Sequence, residues 1–413
     1  MPDIDRRPLS QTEFVGLIAM MTSLVALSID AMLPALPEIG TALGVADPNQ
    51  NQLVIFALMV GLSVGQLVYG PVSDSTGRRP MVFAGLIVFA IGCVLSLVAQ
   101  DFRTMLIGRF LQGFGVAGPR SVSMALIRDL YVGRSMAQIM STIMSVFVLM
   151  PILAPMLGQA ILEVAGWRAI FTSFLLLGVI AVTWFAWRQP ETLPVEKRHP
   201  LSIGEFGRSA SIVLRQQAAM GFTLCAGISS GAFIGYLNSS QQIFQDIYAT
   251  GDDFVLYFGM VAASIGAASL VNRRLVMKYG MHGLTRTALT MIAVLSICYF
   301  VVTWSVGGVP PFWSFLAYLM VAFFFVGIVF GNINSLAMES LGQVAGVGAA
   351  IVSSLSLAIA VIPGLLIGQA LDGTIVPFVG GYAILSLGSL PLLAWGERGR
   401  RRLEAVDQPV AVG

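Results

Sequence analysis

Charge is scarce in this chain. Only 11% of its 413 residues are Asp, Glu, Lys or Arg, against about 25% in a typical soluble domain. That leaves too few charged faces to cover a large water-soluble core. Histidine occurs twice, at His199 and His282, and cysteine three times, at Cys93, Cys225 and Cys298. The cysteines are too far apart for a disulfide framework or a metal site. No GxxxxGK(S/T) loop is present, so a nucleotide-driven pump is not expected, and no constellation for hydrolysis or redox chemistry occurs. An enzyme is therefore not expected, and neither is a cofactor or a metal. The net charge is +2, which is no nucleic-acid footprint.

Long apolar runs are abundant instead. Hydrophobic residues make up 56% of the chain and the mean hydropathy is +0.84. A spanning helix needs roughly 20 apolar residues, and twelve such runs can be read, near 14–34, 51–72, 80–99, 104–127, 136–162, 168–187, 216–240, 254–271, 283–304, 312–336, 344–369 and 374–395. Their length excludes a barrel, whose strands are about 10 residues long and alternate. The expected fold is an all-α membrane protein of twelve transmembrane helices in two six-helix bundles. Arginine and lysine collect in every second connection, as at Arg6 and Arg7, Arg78 and Arg79, Arg128 and Arg134, Arg273 and Arg274, and Arg398 to Arg402. By the positive-inside rule both termini are then cytoplasmic. The N-terminal run lacks a small-residue cleavage site and is as long as a span, so it reads as a helix and not as a secretory signal.

The longest polar connection, Arg188 to Gln217, is rich in proline and charge. It divides the chain into an N-terminal bundle (1–187), a cytoplasmic linker (188–217) and a C-terminal bundle (218–413) with a short tail. A weak repeat supports the division: "PMLGQAIL" in the fifth run and "PGLLIGQAL" in the eleventh. Internal repeats with a substrate site at their interface are a transporter architecture.

Four polar features interrupt the apolar runs. Asp30 is the one carboxylate between Phe14 and Leu33, and two readings stand for it. It is a titrating acid in the protein interior, or an acid snorkelling at the outer interface. Its place four residues before Pro34 puts it about 6 Å below the expected helix end. Arg109 lies at a similar depth, where a cation would let the acid ionise. "GPVSDSTGRR", Gly70 to Arg79, follows the second run: Gly70 allows close helix approach, Asp74 can accept from a helix end or an arginine, Gly77 permits a turn with positive φ, and Arg78 and Arg79 fix the loop's side. "RFLQGFGVA", Arg109 to Ala117, places Gln112 one turn from Arg109 on the same face. Arg120, eleven residues beyond Arg109, returns to nearly that face. It either lines the cavity and favours an anionic or strongly hydrogen-bonding substrate, or snorkels to the cytoplasmic surface. Tyr236, Asn238 and Asn332 are further cavity candidates, though a lone asparagine is more often helix-packing glue.

These motifs resemble the major facilitator superfamily, and within it the twelve-span drug:proton antiporter branch of Bcr/CflA type. "GPVSDSTGRR" is similar to the loop motif after the second span, "RFLQGFGVA" to the fourth-span motif, and "APMLGQ", Ala154 to Gln159, to the antiporter motif of the fifth span. "SIDAMLPALPEI" and "NRRLVMKYG" resemble segments of the Bcr/CflA-type subfamily. Ala154 and Gln159 stand where the antiporter pattern prefers glycine, and Met277 where the second-half loop would carry its acid. The resemblance implies a proton-coupled antiporter of the bacterial inner membrane that exports small amphipathic molecules. Asp30 and Arg109 would couple protons. Gly70, Asp74, Gly77, Arg78 and Arg79 would form a conformational latch, and Pro155 and Gly158 the fifth-span kink. Asp30, Arg109, Gln112, Tyr236, Asn238 and Asn332 would line the substrate cavity, joined by Arg120 in the first of its two readings. The partners expected are a small-molecule substrate, protons and the lipid bilayer, with no nucleic acid, and the expected state is a monomer.

Overall fold

The structure is a computed structural model that describes residues 9–198, 203–342 and 345–407. Arg6, Arg7 and His199 lie outside the described residues. Two compact units divide the chain, one built mainly from the residues before 202 together with Asp252–Gly259, the other from the remainder.

The first unit holds α1 (Gln11–Asp30), α2 (Leu36–Ala42), α3 (Leu53–Thr76), α4 (Arg78–Val98), α5 (Phe102–Leu130), α6 (Gly133–Ala165) and α7 (Trp167–Arg188). The second holds α8 (Ile203–Arg215), α9 (Gln217–Gln241), most of α10 (Phe254–Ser305), α11 (Phe312–Glu339), α12 (Ala345–Gln369) and α13 (Val376–Asp407). Every regular element among the described residues is helical. Nine helical stretches among them are long and apolar enough to cross a bilayer. One of the nine contains α10, which holds two spans joined at Gly280, where φ is 71° and ψ 161°. The long helices α5 and α6 complete twelve.

Local chemistry sets the helix ends. Ser10 caps α1 by accepting from the Glu13 amide at 3.2 Å, and Asp101 caps α5 by accepting from the Thr104 amide at 2.8 Å, each satisfying an otherwise orphan donor. Between α3 and α4 the chain turns at Gly77 with φ 109°, a region closed to most side chains.

The first span ends later than Pro34. A 3-10 turn over Leu33–Ala35, with Pro34 in its first turn, carries the chain into α2 and on to Ala42. Proline in a first helical turn starts a helix without loss, because the N–H it lacks would be unpaired there anyway. The span therefore runs from Gln11 to Ala42, with Asp30 at an internal break rather than one turn from its end.

In both units the fifth span packs on the first through a glycine. A Cβ on Gly158 of α6 would overlap the carbonyl oxygen of Ala31, and one on Gly364 of α12 would press on Ile234 and Gly235 of α9. Such close approach is how helices associate where no hydrophobic force separates them from lipid.

Candidate functional site

Helix α5 organises the first unit. It is flanked by α3 and α4 so closely that a Cβ on Gly113 would overlap the Leu58 carbonyl, and one on Gly115 the Phe89 amide. The polar side chains of its motif then have nowhere to go but inward. Arg109 is 0% exposed. Its Nε donates to the Val54 carbonyl at 3.1 Å, Nη1 to Gln112 Oε1 at 2.7 Å, and Nη2 to the Ser28 carbonyl at 2.7 Å. Gln112 passes the network on, its Nε2 donating to Ser96 Oγ at 3.0 Å and to the Gly92 carbonyl at 3.2 Å. One guanidinium and one amide thus tie α1, α3, α4 and α5 together.

Asp30 is the last residue of α1, and it is 4% exposed. Arg109 reaches its helix at Ser28, two residues earlier, yet no ion pair joins the two side chains. Among the described residues the Asp30 carboxylate has no hydrogen-bond partner. The expected arginine–carboxylate pair is replaced by an arginine held on main-chain carbonyls, which accept its donors with no acid needed. Gly158 lies against Ala31, the next residue, and Pro155, one turn before Gly158, is also buried. The helix break at Asp30 is therefore boxed by α5 on one side and by α6 on another.

At the arginine-rich end of the unit, Arg78 is the hub. Its guanidinium is hydrogen-bonded to Asp74, to Ser73 Oγ at 2.8 Å and to Asp129 Oδ2 at 3.0 Å. The backbone amides of Arg78 and Arg79 donate to the two Glu191 oxygens at 2.9 and 3.0 Å. Thr192 Oγ1 donates to Asp129 at 3.0 Å. Gly77 is required twice here, for its positive φ and because a Cβ would press on Glu191. The start of the polar connection thus belongs to this network rather than to a free linker. Gly70 accepts from Ser73 Oγ at 2.8 Å through its carbonyl, and Arg79 Nη2 donates to the Ala186 carbonyl at 2.6 Å. Asp129 and Glu191 were not singled out in the sequence. The signal for them is faint: two acids standing in otherwise basic connections. A second tie closes α1 on α7, where Arg188 grips Glu13 with two bonds at 2.5 and 2.7 Å.

Arg120 is half-buried on α5 and has no hydrogen-bond or ion-pair partner among the described residues.

In the second unit Tyr236 is buried with its ring centroid 4.5 Å from that of Phe323. Two residues on, Asn238 is 1% exposed, with both amide atoms unpartnered among the described residues. Asn332 is used differently. Its Nδ2 donates to Asn272 Oδ1 at 2.9 Å and to the Ile328 carbonyl at 2.9 Å, and Asn272 Nδ2 donates back at 3.2 Å. The loop at Gly280 repeats the fold of the loop at Gly77 with other chemistry. Met277 stands exposed, and His282 Nε2 lies 3.5 Å from Glu339 where the first unit has its arginine hub.

A model of the Major Facilitator Superfamily matches residues 18–365. The chain belongs to the major facilitator superfamily. It is a transporter by kinship and not an enzyme. It is 32% identical over 355 residues to the uncharacterized MFS-type transporter YdgK of Bacillus subtilis, covering 85% of this chain and 87% of that one. It is 31% identical over 370 residues to the bicyclomycin resistance protein homolog of Haemophilus influenzae, covering 89% and 91%. Names of this kind bear out the resemblance to the drug-efflux branch. A crystal structure of a D-xylose–proton symporter superposes with a TM-score of 0.72 at 14% identity, over 93% of this chain and 97% of the other. That likeness concerns the fold.

Proposed function

We propose that this transporter is a proton-coupled antiporter that exports small amphipathic, drug-like molecules by alternating access. The observation that carries the reading is the Asp30 carboxylate, buried at a break in the first span with no partner of its own. Roughly 18 Å of chain separate it from the end of the span at Ala42, which argues against an acid snorkelling at the interface. A carboxylate with no fixed counter-charge can gain and lose a proton as its surroundings change, and burial makes the two states unequal. Arg109 holds the Asp30 helix from the side and supplies positive potential without neutralising the acid. The names of drug-resistance relatives support efflux of amphipathic compounds.

In this reading the Arg78 network is a latch, set by charge-assisted bonds that must part when α3, α4 and the Glu191 segment move. Within the second unit Asn238 and Tyr236 offer a buried amide and an aromatic wall to the substrate, and within the first Pro155 and Gly158 let α6 follow the Asp30 break. The basic connections support a bacterial inner-membrane orientation with both termini on the cytoplasmic side, and in this reading the transporter acts as a monomer with no nucleic-acid partner. A carrier of one specific metabolite is the second reading, and a sensor that binds without moving its ligand a third.

The test is a susceptibility panel of amphipathic antibiotics in an efflux-deficient host, followed by counterflow of each hit in proteoliposomes with and without a pH gradient. Gradient-dependent exchange of several unrelated compounds is expected. Exchange of a single compound would favour the metabolite carrier, and binding with no exchange under any gradient would favour the sensor.

A further inference from the structure

Arg120 is a half-buried arginine well inside α5. It lies ten residues before the arginine-rich end of α5 at Leu130 and eighteen after Phe102 at the other end. Ten residues are about 15 Å of helix, further than an arginine stem reaches to find water. The contacts of its neighbours define its direction. Phe110, Phe114 and Ala117 meet α3 at Gly61 and Gly65, while Gly108, Gln112 and Gly115 meet α4. Arg109 lies between these faces, toward α1, and eleven residues at about 100° each return Arg120 to within roughly 20° of Arg109. Unlike Arg109, it meets no carbonyl, amide or carboxylate among the described residues.

A second group on that face is also unspent. Ser123, three residues on and therefore adjacent on the helix surface, is 0% exposed, and its hydroxyl has no partner among the described residues. Charge points the same way. The spans of this unit set one acid, Asp30, against two arginines, Arg109 and Arg120, away from their ends. A half-buried cation inside a span without a counter-charge is costly, and groups of this kind in spans mark substrate pathways.

We propose that Arg120, with Ser123 beside it, is an anion-recognition pair, and that the substrates of this transporter include amphipathic carboxylates. A carboxylate takes two parallel bonds from a guanidinium, and the serine hydroxyl can donate a third. The inference rests on the transport reading and adds a substrate class to it. Arg120 lies about 16 Å along α5 from Arg109, so recognition of the anion and exchange of the proton fall to different residues.

The test is equilibrium binding of three radiolabelled probes with one apolar body to the purified full chain: naphthalene-1-acetate, naphthalene-1-acetamide and 1-naphthylmethylammonium. The acetate is expected to bind about tenfold more tightly than the amide. Arg120→Gln should bring the two together, Arg120→Lys should keep part of the preference, and Ser123→Ala should lower it a few-fold. Acetate and amide bound equally by the unaltered protein, or a preference that survives in Arg120→Gln, would overturn the inference while leaving transport standing. Binding of none of the three would overturn the inference, while the transport reading is decided separately by the counterflow assay.

Discussion

Arg109 donates to the Ser28 carbonyl at 2.7 Å and makes no ion pair with Asp30 two residues on. The distinction matters. A paired aspartate would be locked in its charged form, and opening the pair would cost several kcal/mol. An arginine held by carbonyls keeps its position whichever state the acid is in. The positive group is held by the fold, and the Asp30 carboxylate has no partner among the described residues.

Arg109→Ala should therefore damage the fold as well as the coupling. It strips buried acceptors at Val54, Ser28 and Gln112 of their donor. The expected loss is on the order of 3 kcal/mol, since each buried polar group left unmade costs about 1–3 kcal/mol. Thermal melting in detergent reads it. Arg109→Lys, with one point of donation instead of a fork, should fall between. An unchanged melting point for Arg109→Ala would show that the network carries no stability.

Gly158→Ala tests the other wall around Asp30. The added methyl overlaps the Ala31 carbonyl, so α6 must retreat from the helix break. Turnover should fall at least tenfold, while membrane abundance changes little, because α6 keeps its remaining contacts. Abundance-corrected counterflow is the measurement, and full turnover would place the contact outside the transport cycle.

The Arg78 network should depend more on Asp129 than on Asp74. Both bond Arg78, but the side chain of Asp74 is 40% exposed and that of Asp129 20%. Water therefore screens the first more. Asp129 also accepts from Thr192 and so holds the Glu191 segment. Asp129→Asn should cost about 1 kcal/mol and Asp74→Asn less, after discounting for exposure. Both should alter the rate of alternating access more than substrate affinity. Equal melting points for the two variants, with Asp74→Asn the slower transporter, would reverse this ranking.

The fold class and the motif positions were legible in the sequence because they rest on local features. Runs of about 20 apolar residues, glycine at the Gly77 turn and arginine in alternate connections need no knowledge of distant partners. The end of the first span was misplaced because Pro34 reads equally as a stop or as the first turn of a new helix, and only the packing of Leu36 and Ile39 decides between them. Asp129 and Glu191 escaped notice because they meet Arg78 across 51 and 113 residues, a separation no spacing rule covers. Arg109 looked like a partner for an acid because main-chain carbonyls, its real acceptors, leave no trace in side-chain identity. Asn332 was a cavity candidate for the same reason: its partner, Asn272, lies 60 residues away.

That asparagine pair gives a further test. Replacing Asn332 alone by leucine leaves the Asn272 amide unpaired, and replacing both removes the problem. A double-mutant cycle should show a coupling of roughly 0.5–1.5 kcal/mol, with the double variant close to the unaltered protein in stability and still transporting. Strict additivity would dissolve the pair. Loss of substrate binding in the double variant would return Asn332 to the cavity wall.

The central claim is that Asp30 carries the exchanged proton, and uphill export by Asp30→Asn tests it most directly. The amide mimics a permanently protonated acid, so the helix should insert and the purified variant should still bind neutral substrates. In proteoliposomes with an imposed pH gradient, export against a substrate gradient should be lost, while downhill counterflow of a neutral compound persists. Uphill export at the unaltered rate by Asp30→Asn would contradict the account and leave Asp30 a buried acid with no part in coupling.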